Sequence, residues 1–136
     1  MTNRTLRKTI YLRATPETVW AYLTDPDKLS TWFHAPKAPL VEGRFEMFGT
    51  TSGDLLIWGE VLRAEPFRHL DYSFTVKPMG DAVSTVRWTL TPVEGGTELA
   101  LIHEGLPHTA EAFDLTLNLD KGWDDHLGRL RATLHG

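Results

Sequence analysis

The stretch LTLNLDKGWDDHLGRLRATL, residues 115–134, decides the fold that this sequence predicts. Its large apolar residues recur every three or four positions, and at 100° per residue they form one stripe about 120° wide. These residues are Leu115, Leu119, Trp123, Leu127, Leu130 and Leu134. The pattern predicts a long amphipathic helix at the C-terminal end. Gly122 costs this helix about 1 kcal/mol relative to alanine, and we expect a close approach of a sheet backbone to explain that glycine.

The sequence before this helix changes to a period of two between about residues 41 and 105. For example, Val86, Trp88 and Leu90 alternate with polar residues. Turn residues separate the alternating segments and no helical pattern intervenes, which is typical of an antiparallel meander. With a further strand at residues 6–12, the sheet should contain about six strands. A strongly twisted sheet of this size would curl around the last helix and give an α+β fold.

One hairpin of this sheet has a predicted register. Gly95 and Gly96 together are a favoured two-residue turn. This turn places Trp88 opposite His103, and both side chains would then lie on the concave face of the sheet. On the other face Arg87 would form a cross-strand ion pair with Glu104.

Two short helices are expected between the first strand and the meander. Thr15 can cap a helix whose first residue is Pro16, and Asp25 with Pro26 repeats the same signal. Pro36 then ends the second helix.

Length and composition exclude several classes of protein. The 136 residues fit a single domain, 1–136, and the net charge of −4 argues against nucleic-acid binding. The absence of cysteine excludes disulfides, thiolate catalysis and cysteine zinc sites. The longest strictly apolar runs are about four residues, against about 20 for a membrane helix. The N-terminal residues lack the apolar segment of a secretory signal, so we expect a cytoplasmic protein that does not bind membranes.

Several segments resemble one known family, and together they cover nearly the whole chain. They are TPETVW (15–20), LSTWF (29–33), GEV (59–61) followed by EP (65–66), GGTEL (95–99) and KGW (121–123). Their order and spacing resemble the activator-of-Hsp90-ATPase homologue (AHSA1-like) family of the START/Bet v 1-like (SRPBCC) superfamily. The resemblance implies a helix-grip fold, in which a curved sheet surrounds a long C-terminal helix.

The resemblance also implies a function. Members bind apolar or amphipathic small molecules in a cavity between sheet and helix, and a few, such as aromatic polyketide cyclases, are enzymes. The family name implies Hsp90 as a partner, but by resemblance that role belongs to larger chains with an additional N-terminal domain. We therefore do not expect Hsp90 activation from this chain. Monomer and homodimer both remain open.

The aromatic residues independently favour a pocket. Five tryptophans in 136 residues is a high count, and ligand pockets are mostly apolar with a few polar groups that orient the ligand. The ten predicted walls are Trp32, Phe33, Trp58, Tyr72, Phe74, Trp88, Leu101, His103, Leu119 and Trp123. His103 and the tryptophan N–H groups would orient the ligand. The competing interpretation is that these aromatic residues simply fill the core.

His103 is also the one weak candidate for catalysis, since a histidine can act as acid or base near neutral pH. It supports the alternative of a cyclase, dehydratase or hydrolase. A chaperone-related or stress-related interaction module is a third alternative. Because the sequence shows a single plausible base in the cavity, we prefer ligand binding and name no catalytic residue.

Metal and nucleotide chemistry are not expected. His103 and Glu104 point to opposite faces of one strand, so they do not converge on a metal. No glycine-rich nucleotide motif follows a strand, and we expect no cofactor. His126, three residues after Trp123, could lie at the edge of the cavity mouth, but exposure at the surface is the preferred interpretation.

Overall fold

The C-terminal helix packs on a curved sheet in the computed structural model, which describes residues 4–135. The strands are β1 (Arg4–Leu12), β2 (Ala35–Pro36), β3 (Gly43–Phe48), β4 (Leu55–Glu65), β5 (His69–Phe74), β6 (Ser84–Val93) and β7 (Gly96–Leu106). All neighbouring strands are antiparallel, in the order β1-β7-β6-β5-β4-β3-β2. The described residues thus form seven strands rather than about six, because the two-residue β2 gives too short a pattern to be read from sequence.

The helices are α1 (Pro16–Thr24), α2 (Pro26–Leu29) and α3 (Phe113–His135), with short 3-10 helices at Lys77–Met79 and Ala110–Ala112. The predicted cap of α1 is confirmed, since the Thr15 hydroxyl accepts from the Thr18 N–H at 3.2 Å. The long C-terminal helix and the two short helices after β1 are confirmed as well. None of the helices within residues 4–135 combines the length and the apolar character needed to cross a membrane.

The β6–β7 hairpin turns one residue earlier than predicted. Val93 pairs with Gly96, so Glu94 and Gly95 form the turn, and Trp88 faces Leu101 rather than His103. Gly95 takes the positive φ of the turn (88°). Gly96 is required for another reason, because a Cβ there would collide with a backbone oxygen of β1.

The register error of two residues leaves every side chain on its predicted face, since side chains alternate with a period of two. His103 therefore still points to the concave side, now opposite Val86. The Arg87–Glu104 ion pair is confirmed on the other face, diagonally across the two strands, and Arg87 also contacts Asp71 at 3.1 Å.

The helix α3 buries the middle of its apolar stripe and is held along one edge of the sheet. Trp123, Leu127 and Leu130 are buried. From β1, Lys8 contacts Asp120 at 2.6 Å and also reaches the next turn of the helix. The ion pairs that join α3 to the sheet within the described residues come from β1, and on the opposite side a gap separates the N-terminal half of the helix from the start of β4.

Gly122 lies on the side of α3 that faces this gap. The prediction that a close approach of the sheet backbone explains this glycine is wrong. A Cβ built at Gly122 would meet nothing within 4 Å. The sheet backbone does not approach the helix here, and the glycine borders open space instead. Gly128, one and a half turns later, is likewise uncrowded but is exposed to solvent.

Candidate functional site

A half-open cleft of about 1270 Å³ lies between the N-terminal half of α3, the start of β4 and the segment that follows β5. Drug-sized ligands occupy sites of about 300–1,000 Å³, so this space is large enough for a small molecule. Its floor and walls are mainly apolar and include Phe33, Ile57, Phe74, Met79, Leu119 and Trp123. Gly122 lines the same cleft.

Stacked aromatic rings form the deepest part of the cleft. The rings of Phe33 and Trp123 are nearly parallel, with centroids 5.3 Å apart. The centroid of the Phe74 ring lies 6.2 Å from that of the same tryptophan. Both Phe33 and Trp123 are almost fully buried from water. Packed aromatic rings give a rigid apolar surface, and an apolar ligand placed against it would mainly remove its own surface from water.

The ten residues predicted to line a pocket fall into two layers. Five of them line the cleft: Phe33, Trp58, Phe74, Leu119 and Trp123. The other five lie in the core beneath it, each at most 2% exposed: Trp32, Tyr72, Trp88, Leu101 and His103. The cleft is therefore closer to the helix and to β4 than the predicted pocket.

A chain of hydrogen bonds fixes His103 within the core. The indole Nε1 of Trp123 donates to His103 Nδ1 at 3.0 Å, and His103 Nε2 lies 2.7 Å from the hydroxyl of Ser84. Ser84 in turn donates to the backbone oxygen of Phe74 at 2.8 Å. Since Nδ1 accepts, Nε2 carries the ring proton and donates it to Ser84. Burial lowers the pKa of His103 to about 4, so the ring is neutral near pH 7.

The buried tryptophan N–H groups are also committed to protein acceptors. Trp88 donates to the hydroxyl of Tyr72 at 3.0 Å, and Trp32 donates to the backbone oxygen of Tyr22 at 2.8 Å. Burial raises the pKa of Tyr72, which stays protonated. Together with the Trp123–His103 bond, these contacts occupy three of the N–H groups that the sequence suggested for orienting a ligand.

The polar groups that do reach the cleft are mostly at its rim. His34 and His126 line one end, where their ring centroids are 5.0 Å apart. Burial lowers the pKa of both rings, that of His34 to about 4, and each ring is further disfavoured as a cation by neighbouring positive charge. Acidic residues, Glu111 and Asp114 among them, lie at the other end, by the start of α3.

Of the two rim histidines, sequence reasoning missed His34 and placed His126 at the cavity mouth only as a second choice. His126 was expected to be exposed, but it is partly buried against Phe33, at 4.8 Å between ring centroids. Its position three residues after Trp123 was the available signal, because residues three apart share a helix face. No sequence signal marked His34, which reaches the cleft only because α3 packs above it.

A curved antiparallel sheet that encloses a long C-terminal helix, with a cleft between the two, defines the helix-grip class of proteins. Within that class, the chain belongs to the family described as activator of Hsp90 ATPase homolog 1-like protein, whose model matches residues 13–135. The family predicted from the sequence motifs is therefore confirmed.

Solved structures share this fold. Protein MLL2253 from Mesorhizobium loti is 26% identical, with 97% of each chain covered and a TM-score of 0.85. DynU16, a protein of the dynemicin biosynthetic locus, is 26% identical with a TM-score of 0.82, and the match covers 96% of this chain and 47% of that one. The Aha1 dimer from Colwellia psychrerythraea, 20% identical with 96% of each chain covered and a TM-score of 0.78, is similar in fold. A search of the curated proteins finds no match.

Proposed function

We propose that this protein binds a small apolar or amphipathic molecule in the cleft between α3, β4 and the segment after β5. The observation that carries the proposal is the open space of about 1270 Å³ above the Phe33–Trp123 stack, which Gly122 leaves unfilled. A glycine inside a helix costs stability, and here it keeps a side chain out of the cleft. The similarity to DynU16, a protein of a biosynthetic locus, is in keeping with a small-molecule ligand.

The energetics favour moderate affinity for an apolar ligand. Burying roughly 300 Å² of apolar surface contributes about 7 kcal/mol at 25 cal/mol per Å². Part of this is offset by the loss of translational and rotational freedom on association. We therefore expect dissociation constants above about 10 μM for aromatic compounds of two or three rings, since 1 μM would need a net gain of about 8 kcal/mol.

The geometry supports binding over catalysis by His103. That ring is not exposed to solvent, both its nitrogens are hydrogen-bonded within the core, and the side chain of Trp123 separates it from the cleft. A general acid or base must come within about 3.2 Å of the atom it protonates, directly or through one water. No ligand atom in the cleft could meet this condition without displacing Trp123.

A neutral fluorescent probe tests the proposal. N-Phenyl-1-naphthylamine should bind the wild-type protein saturably, with an increase in fluorescence. Gly122→Leu places a side chain in the cleft and should weaken binding at least tenfold. Gly128→Leu is the matched control, because it makes the same change in the same helix on an exposed face, and it should change affinity less than twofold.

Two results would contradict the proposal. One is the absence of saturable binding by wild-type protein with an intact near-ultraviolet circular dichroism spectrum. The other is equal weakening by the two leucine substitutions, which would show that the probe binds somewhere other than the space beside Gly122.

A further inference from the structure

The end of the cleft at His34 and His126 is chemically different from the rest. Both rings line the cleft, and both pack against Phe33, at 4.6 and 4.8 Å between centroids. They come from distant parts of the chain, one from the segment before β2 and the other from α3. Two imidazoles that meet at the edge of an apolar surface can present N–H donors to the same ligand atom or group.

Arg129 stands behind these rings and adds positive charge. Its Nη2 lies 2.8 Å from His126 Nδ1, and its Nε donates to the backbone oxygen of Trp32 at 3.4 Å. His126 Nδ1 also lies 3.1 Å from that backbone oxygen. Because a carbonyl oxygen only accepts, Nδ1–H donates to it when the ring is protonated, and Nε2–H is then left for a ligand. None of the ion pairs formed within the described part of the chain involves Arg129. Its charge is therefore balanced by no carboxylate in direct contact, although Asp125, one turn earlier on α3, interacts with it at longer range.

The surrounding carboxylates leave this end positive. Asp125, which adjoins His126, is paired with Lys121 at 2.7 Å. Asp54 also lines the cleft, but it lies on the far side of β3 from His34, at the start of β4. Asp114 is twelve residues before His126 on α3, or about 18 Å at 1.5 Å per residue. Arg129 thus places positive charge behind the end formed by His34 and His126, whereas Glu111 and Asp114 lie at the other end, and Lys77 lines the cleft on the segment after β5.

We propose that the ligand is an amphipathic molecule with an oxyanion, such as a carboxylate or sulfonate, bound beside His34 and His126. This inference rests on the proposed function, since the apolar part of the ligand would occupy the cleft. The imidazole N–H groups donate to the oxyanion, and the backbone oxygen of Trp32 holds the protonated ring of His126 in the orientation that does so. Charge-assisted hydrogen bonds of this kind are about twice as strong as neutral ones.

Protonation should accompany such binding. Burial, the charge of His126 and the charge of Arg129 lower the pKa of His34. Burial and Arg129 also lower the pKa of His126, while its hydrogen bond to the Trp32 backbone oxygen and the charge of Asp125 raise it. An oxyanion between the rings would raise both pKa values. The bound state then takes up protons, and affinity for an oxyanion should increase as the pH falls from 7.5 to 5.

Two matched probes test this inference. 8-Anilinonaphthalene-1-sulfonate has the same ring skeleton as the neutral N-phenyl-1-naphthylamine and adds one sulfonate, whose charge does not change in this pH range. The affinity of the sulfonate relative to the neutral probe should rise several-fold between pH 7.5 and 5. In His34→Leu/His126→Leu this ratio should fall about tenfold at pH 6 and lose its pH dependence. His69→Leu is the control, because His69 lies outside the cleft, and it should retain the wild-type ratio.

The outcomes separate this inference from the proposed function. If both probes bind and their ratio is independent of pH in the wild type, the oxyanion site is refuted and the apolar cleft stands. If neither probe binds, both proposals fail. If the double variant loses the neutral probe as well, its fold has changed, and the pH dependence of the wild-type ratio alone supports or refutes the site.

Discussion

The buried histidine of the core makes the stability of this protein depend on pH. His103 has a folded-state pKa of about 4, lowered by burial, against about 6.5 in an unfolded chain. The unfolded state therefore binds a proton more readily than the folded state. The stability from keeping His103 neutral is fully present above pH 6.5 and is lost as the pH falls toward 4.

The magnitude follows from this difference in pKa. Proton linkage predicts that His103 alone lowers the free energy of unfolding by about 2 kcal/mol between pH 7.5 and pH 5, and by about 3 kcal/mol once the pH is below 4. The rim ring of His34, with a pKa of about 4, adds a smaller share, because that side chain is partly exposed and solvent screens its charge.

The perturbation that isolates this effect is His103→Gln. The glutamine oxygen can accept from Trp123 and its amide can donate to Ser84, as the imidazole does, but glutamine does not titrate. We expect the variant to be less stable than wild type at pH 7.5 by about 1–2 kcal/mol, the usual cost of an altered buried hydrogen bond. By pH 5 that difference should shrink by about 2 kcal/mol.

Urea unfolding followed by tryptophan fluorescence at pH 7.5, 6 and 5 measures this difference. Carboxylates that titrate near pH 5 affect both proteins equally and cancel in the comparison. His34→Gln serves as a second comparison. The difference in its free energy of unfolding from wild type should change less between pH 7.5 and pH 5 than that of His103→Gln. Parallel curves for wild type and His103→Gln would refute the assignment of a neutral, hydrogen-bonded His103.

Three further substitutions, one of them a control, test the fold directly. Gly96→Ala should lower the free energy of unfolding by about 1–3 kcal/mol, because the added methyl group collides with the backbone of β1; Gly128→Ala, in open space on α3, should instead raise it by up to about 1 kcal/mol. Equal effects in thermal unfolding would contradict the close approach at Gly96. Ser84→Ala removes the partner of a buried imidazole N–H and should cost about 1–3 kcal/mol, whereas a change below about 0.5 kcal/mol would mean that this bond is replaced.

The sequence predicted those parts of the fold that depend on local periodicity. The apolar stripe of α3 and the alternation of β6 and β7 placed Trp123 and His103 on the correct faces. The hairpin register failed because two adjacent glycines allow two turns, and local chemistry favours neither strongly. The choice is made by β1, whose backbone leaves no room for a side chain at Gly96, and that contact spans more than eighty residues of sequence.

The site was less predictable, because periodicity gives the face of a residue and not its depth. Trp88 and Phe74 both point to the concave side, yet Trp88 is core and Phe74 borders the cleft. What separates them is the position of α3, which depends on long-range contacts such as Lys8 with Asp120. The same placement brings His34 to the rim, although nothing near it in the sequence marks it as a site residue.

The empty space around Gly122 has a consequence for how this scaffold could acquire new selectivity. The Cβ of a side chain added at that position meets no protein atom within 4 Å. The added side chain would therefore contact a ligand in the cleft rather than the surrounding protein. Alanine, valine, leucine and phenylalanine at residue 122 would form a graded sieve that admits progressively slimmer compounds. A single substitution at this position would then change the ligand selectivity of the cleft without a change in the fold.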